Sequence, residues 1–293
     1  MKNTSTVIHF KSGKERLVSI DSFLFLIILF SKFQLAKKFL HYYLTASNGK
    51  GHGVHSPFVF EFINNVLKDK KQYDCYAAIE KQRRQLLQDR AVIEIEDFGA
   101  GSAVMKSNKR LIKNIAASSL KPKIFAQLLF RIVQYYQPVT ILELGTSLGI
   151  TTAYLAKGNA AGKVFTCEGS SAIAAIAQKN FEQLQIKNIQ LTLGDFAKTF
   201  QPLLNETGKI DFAFIDGNHR KEPTVEYFSK LLNFSTPSTM LIFDDIHWSE
   251  EMEAAWAIIQ QHPSVTLTID LFFIGLVFIN PDFKVKQHFV IRF

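Results

Sequence analysis

Cysteine is scarce in this chain. Cys75 and Cys167 are the only two in 293 residues, and their separation matches no metal-binding or redox spacing. That excludes a disulfide-framed secreted fold and predicts a reducing, cytosolic setting. Membrane-spanning length is missing too. The most apolar stretch near the start, "SFLFLIILFSKFQLAKKFLHYYL", has an uninterrupted apolar run only over residues 23–30, well short of the ~20 residues that cross a bilayer. Lysines precede it but no small-residue cleavage pattern follows, so a signal peptide is not expected. No five basic residues stand in a row, which argues against nucleic acid as a partner. Internal repeats and low-complexity tracts are also lacking.

What is present suffices for a core. At 47% apolar residues, the chain can form one large or two modest globular domains. The 27 Phe suit buried packing or aromatic-lined pockets. The net charge of +8 is unevenly placed. Residues 1–125 carry 21 Lys and Arg against 10 Asp and Glu, whereas residues 126–293 carry 13 against 16. A basic front half reads as a solvated helical surface, or as a face for an anionic partner.

The front half, residues 1–120, reads as mainly helical, a lid or interaction region, with residues 1–20 poorly structured. Between Phe23 and Leu44 apolar residues alternate with Lys32, Lys37 and Lys38 at helical spacing. Such a segment either makes a peripheral membrane contact or is buried under a partner or the rest of the chain. In "SPFVFEFINNVLKD", Ser56 reads as an N-cap with Pro57 at the first helical position. "DCYAAIEKQRRQLLQDR" opens on Asp74 and ends basic, as the helix dipole favours. The loop "TASNGKGHGVHS" holds His52 and His55 without acidic or Cys companions, so they read as loop residues.

From residue 121 onward the pattern changes. "KIFAQLLFRIVQYY" puts Phe125, Leu128, Leu129, Ile132, Val133 and Tyr136 on one helical face. Short apolar strands then alternate with helices. Strands are expected over 139–144, 163–167, 189–193, 210–215 and 240–243, and helices over 150–157, 171–185, 222–233 and 250–261. "VTLTIDLFF" and "IGLVFI" should close the chain as an antiparallel hairpin. This predicts an α/β fold: a Rossmann-like, doubly wound, mostly parallel seven-stranded sheet with a C-terminal antiparallel hairpin. Residues 121–293 would form the ligand-binding domain.

Two segments compete for the nucleotide loop: "DFGAGS" at residues 97–102 and "ELGTSLG" from Glu143. Such a loop must link a strand to a helix and lead to a second strand that ends in an acid for a ribose. After "ELGTSLG" come a helix, a strand and Glu168. After "DFGAGS" comes only basic helical sequence. Glu143 to Gly149 is therefore the expected loop, and Asp97 to Ser102 either an ordinary turn or a segment folded over the site.

"ELGTSLGITTAYLA", "CEGS", "LGD", "IDFAFIDGNH" and "MLIFDD" occur in an order and spacing that resembles class I S-adenosylmethionine-dependent methyltransferases. The likeness is to the catechol-type O-methyltransferases and their bacterial relatives, over about residues 121–280. It implies methylation of a small-molecule acceptor, with S-adenosylmethionine as cofactor. A silent cofactor-binding protein and a nucleic-acid methyltransferase using the basic front half are the rival readings. Nicotinamide suits the same loop less well.

Residue by residue, Gly145 and Gly149 let the backbone turn and approach a ligand, and Thr146 and Ser147 add hydroxyls. The following helix N-terminus can hold a carboxylate. By resemblance, Glu143 lies near the amino-acid end of the cofactor. Glu168 should accept both ribose hydroxyls and Asp195 should sit by the adenine amine; each could instead only cap a helix.

Asp216, Asp244 and Asp245 are expected at the carboxyl ends of adjacent strands. Three clustered carboxylates call for a positive partner, and Mg²⁺ or Mn²⁺ with oxygen ligands is the expected one. The resemblance implies Asp, Asp and Asn at these positions, so Asp245 departs. It also implies a Lys base where His219 stands. His219 could take the acceptor proton or orient the Asp216 loop. His247 and Trp248 line the pocket or pack at a helix start.

Overall fold

The computed structural model describes residues 30–47, 55–95 and 108–293, together with the backbone of two short paired strands, β1 (Val7–Ile8) and β2 (Arg16–Leu17). Asp97 to Ser102, His52 and most of the apolar run at 23–30 lie outside the described residues.

The second half builds the sheet. Its strands are β5 (Thr140–Leu144), β6 (Lys163–Glu168), β7 (Ile189–Leu193), β8 (Ile210–Ile215), β9 (Ser235–Asp244), β10 (Leu267–Asp270), β11 (Ile274–Phe278) and β12 (Gln287–Val290). They lie in the order β12-β10-β11-β9-β8-β5-β6-β7. β5 pairs in parallel with both β6 and β8, so the chain reverses its winding at β5. β11 runs antiparallel to β9 and β10, as the hairpin predicted.

The sheet has eight strands where seven were expected. The extra one, β12, pairs in parallel with β10 at the edge. It is four residues long and alternately half-buried and exposed, so it carries too little apolar sequence to announce itself. A helix over Phe196–Thr207 was also missed; Pro202 inside it reads as a breaker in sequence.

Strand alternation divides the core in two. Ile141, Phe212, Phe214 and Ile242 face one side, with the helices α5 (Lys123–Tyr136), α6 (Ile150–Gly158) and α7 (Ser171–Gln183). Leu142, Leu144, Ala213, Ile215 and Leu241 face the other, against α8 (Phe196–Thr207), α9 (Lys221–Leu232) and α10 (Glu250–Gln261). Period-two side-chain direction produces this split. Burying both faces is why the strands read as continuous apolar runs.

The front half does not stand apart. Its elements are α1 (Lys32–Thr45), α2 (Pro57–Phe62) running into a π-turn (Ile63–Leu67), α3 (Asp74–Gln88), the short ladder of β3 (Val92–Glu94) and β4 (Lys109–Leu111), and α4 (Ile112–Ser119). Val59, Phe62, Ile63, Val66 and Ile79 are fully buried in the same cluster as Ile141 and Leu129. Ser56 caps α2 as expected, accepting from Val59 N at 3.4 Å. Asp74 lies in the first turn of α3, but Tyr73 is the cap residue.

α1 lies against the C-terminal edge. Tyr42 Oη donates to Ile291 O at 2.5 Å, and Ser47 N donates to Val290 O at 2.9 Å. Covering an edge in this way blocks further strand pairing. Phe33, Leu40 and Leu44 on the same helix stay exposed. No helix among the described residues is long and apolar enough to cross a membrane.

Candidate functional site

A cavity of about 710 Å³ opens above the carboxyl end of β5, where open α/β sheets receive ligands. One half of its wall is the turn after β5. Gly145 and Gly149 have φ of +101° and +79°, and Ser147 has φ of +48°. A Cβ placed on Gly145 would lie 2.1 Å from the carbonyl oxygen of Asp216, so only glycine fits there. Gly149 precedes α6 with no side chain capping the helix. The first-turn N–H groups are thus free of side-chain acceptors and suited to an anion.

Glu143 is fully buried in β5. Its Oε2 accepts from Thr152 Oγ1 at 2.5 Å and Thr166 Oγ1 at 2.7 Å. Its Oε1 has no partner. Burial pushes the carboxyl up to about 7, against the pull of the two hydroxyls.

Glu168, at the end of β6, accepts from Ser147 N at 2.9 Å and Ser170 N at 3.0 Å. Burial raises its carboxyl above the usual range, while these N–H groups and that of Gly169 draw it back. One acidic side chain thereby fixes the shape of the turn and borders the cavity. Asp195 caps α8, accepting from Ala197 N at 3.0 Å, and also lines the cavity. The capping and lining positions coincide.

The other half of the wall comes from β8 and β9. Asp216 N donates to Leu144 O at 2.9 Å, joining it to the β5 turn. His219 Nε2 lies 3.5 Å from Asp216 Oδ1. Ligand atoms of Asp216, His219 and Asp244 come within 4.8 Å of one another. Asp245, expected in this set, is not among the three. It lines the cavity with φ of +52°, its N–H donating to Phe273 O. Burial and then Asp244 raise the carboxyls of Asp216, well above the usual range, and of Asp245, to about 6.

Trp248 lines the cavity. His247 does not. It bonds Glu253 at 3.0 Å and Asp270 at 2.8 Å, and stacks on Phe272.

Comparison with known proteins agrees with this geometry. Residues 142–246 match the family model described as a methyltransferase domain. A catechol O-methyltransferase from Niastella koreensis is 34% identical over 125 residues, which is 42% of this chain. The chain spans about half the length of that relative, 54%. An O-methyltransferase from Bacillus cereus, solved with S-adenosylhomocysteine, shares the fold at a TM-score of 0.51 and 23% identity, over 74% of this chain and 96% of that one. A methyltransferase from Podospora anserina bound to S-adenosylhomocysteine does so at 0.54 and 11%, over 87% and 98%.

Over residues 142–246 the chain is thus similar to a methyltransferase domain.

The residues around the cavity fit S-adenosylmethionine. The buried, unpartnered Oε1 of Glu143 and the glycine cradle ask for a ligand with a positive amine and a carboxylate. The expected divalent ion fits less well. The ammonium of Lys121, which sequence reasoning missed, is only 8% exposed and pairs with Asp244 Oδ2. Burial works against its charge, but Asp244, Asp216 and Asp245 more than offset that and hold it above the usual lysine range. A divalent ion beside Asp244 would face this ammonium at the same carboxylate.

The main chain at Lys121 is held by the front half. Arg83 Nη1, from α3, donates to Lys121 O at 2.8 Å. Arg83 Nε bonds Glu80 at 3.0 Å, and Glu80 also accepts from Tyr154 Oη at 2.9 Å. Pro122 holds the preceding residue extended and out of the helix, which does not by itself mark Lys121 as part of the site.

Proposed function

We propose that this chain transfers the methyl group of S-adenosylmethionine to an oxygen of a small-molecule acceptor. The observation that carries this reading is the direct contact between the cofactor turn and the acceptor end. Asp216 donates its N–H to Leu144 O and packs its carbonyl where a Cβ of residue 145 would be. A donor held on the turn and an acceptor beside Asp216 would share one cavity with no wall between them.

When bound, S-adenosylmethionine supplies a methyl group activated by a sulfonium. The α6 N-terminus would hold its carboxylate, and Glu143 Oε1 would face its amine. Glu168 has a second acceptor site on each oxygen for ribose hydroxyls. Trp248 and Phe273 supply flat apolar surface to an acceptor ring. His219, 3.5 Å from Asp216, would take the acceptor proton. The main contribution to rate would be alignment of acceptor oxygen and methyl group.

The test is binding followed by turnover. Calorimetry should show one S-adenosylmethionine site. Glu168→Ala should weaken it roughly 10- to 100-fold, through loss of the ribose bonds and the unsupported turn. Hydroxylated aromatic probes should then yield S-adenosylhomocysteine. Unchanged affinity in Glu168→Ala would remove the ribose assignment. Binding with no product from any probe would favour a silent binding protein.

A further inference from the structure

The acceptor half of the cavity holds more acid than it can leave unpaired. Asp216, Asp244 and Asp245 converge there, Asp244 is 1% exposed, and its Oδ1 has no partner. The positive charge that steadies them is Lys121, whose side chain is 8% exposed. Its position is fixed by a buried chain of contacts running from Lys121 O through Arg83 and Glu80 to Tyr154. Such a network is costly to leave half made, so the main chain at Lys121 is held in place.

An ammonium has three protons to donate. Asp244 Oδ2 takes one. Lys121 lines the same cavity as Asp216, His219 and Asp244, which leaves the other two for a group bound there. We propose that Lys121 takes the place of a divalent ion in this acceptor site, neutralising the carboxylates and donating an N–H to the acceptor oxygen, so that methyl transfer proceeds without added metal.

The step balances. The acceptor O–H gives its proton to the Asp216–His219 pair as the oxygen bonds to the methyl carbon. The carbon–sulfur bond breaks with its electron pair staying on sulfur, which leaves S-adenosylhomocysteine, a methyl ether and a proton. Lys121 keeps its protons throughout. It stabilises negative charge as it forms on the oxygen, the role a metal would otherwise fill. One ammonium makes a point contact and no chelate, so a single hydroxyl is enough for recognition.

This inference rests on the methyltransferase reading, and the experiment separates the two. Mn²⁺ is titrated into protein saturated with S-adenosylmethionine, and free ion is followed by electron paramagnetic resonance. Wild type should show no saturable site, and Lys121→Ala should gain one per chain. Turnover of the wild type should withstand chelation, and Lys121→Met should lower it roughly 100-fold. A one-to-one Mn²⁺ site in wild type that Asp244→Asn abolishes would overturn the proposal. So would turnover lost on chelation and restored by Mg²⁺, or no Mn²⁺ site in either protein. Calorimetry with S-adenosylmethionine reports on the fold of each variant, and Lys121→Met replaces the alanine variant in the titration if that one fails to bind. Failure of wild type to bind S-adenosylmethionine would instead strike the methyltransferase reading.

Discussion

Glu143 and Asp244 look alike in isolation. Each lies in a central strand, each is almost wholly buried, and each leaves one oxygen without a partner. Their surroundings differ. Glu143 has two neutral hydroxyls, from Thr152 and Thr166, 9 and 23 residues away. Asp244 has a full positive charge, brought from 123 residues away. The first carboxylate has no cation beside it among the described residues; the second already has one. On the proposed reading, a donor would meet a lone carboxylate at the first site and an acceptor a fixed ammonium at the second.

The two regions meet at Gly145, so that residue is where the comparison breaks most readily. A methyl group there must displace the Asp216 carbonyl and hold a strained positive φ. Gly145→Ala should cost more than about 4 kcal/mol of stability, the range of strain and overpacking combined. It should also abolish S-adenosylmethionine binding. Denaturant unfolding and calorimetry would check this, and a mild effect would mean the two halves are not rigidly joined.

A second substitution sharpens the contrast. Glu143→Gln keeps an oxygen for both threonine hydroxyls and removes the charge. The folded carboxyl sits near 7 against an ordinary 4.5, so the unfolded chain gives up this proton first as pH rises. Stability therefore falls between about pH 4.5 and pH 7 and stays lowered above that. Glu143→Gln should match wild type at pH 4.5 and exceed it by about 3 kcal/mol at pH 8 in the absence of ligand. It should bind S-adenosylmethionine more weakly all the same, because Oε1 no longer meets an amine with charge. A variant that gains stability without losing affinity would show that Oε1 does not face the ligand.

The same contrast explains what could be read in the sequence. The Glu143 region is local: strand, turn, helix and strand follow one another within thirty residues, and the pattern of Gly145, Gly149 and Glu168 reflects that order. The Asp244 region is not. Strand-end positions made Asp216 and Asp244 legible, and their mutual repulsion called for a positive partner, for which a divalent ion was the expectation. Nothing in "SSLKPKIF" says that Lys121 is that cation, because its approach depends on Arg83 holding the main chain from a separate helix. β12 and α8 were hidden for a different reason. One is a half-exposed edge with little apolar content, and the other carries Pro202 in its interior.

The smallest effect comes from a lysine that only resembles Lys121. Lys38, on α1, bonds both oxygens of Glu253 at 3.0 and 2.9 Å, and Glu253 with Asp270 holds His247. Here too acids share a cation, but the pair is 37% and 31% exposed. Water screens it, so Lys38→Ala should cost less than about 1 kcal/mol and nothing measurable at high salt. The His247 contribution has its own sign. Burial lowers its basicity, yet Asp270 and Glu253 raise it more, so this stabilisation is complete below the ordinary imidazole range and fades as pH rises through the raised value. Thermal unfolding of Lys38→Ala at low and high salt checks the first point, and the same scan across pH checks the second. If Lys38→Ala proved as damaging as loss of Lys121, charge alone would account for both lysines, and burial would not separate them.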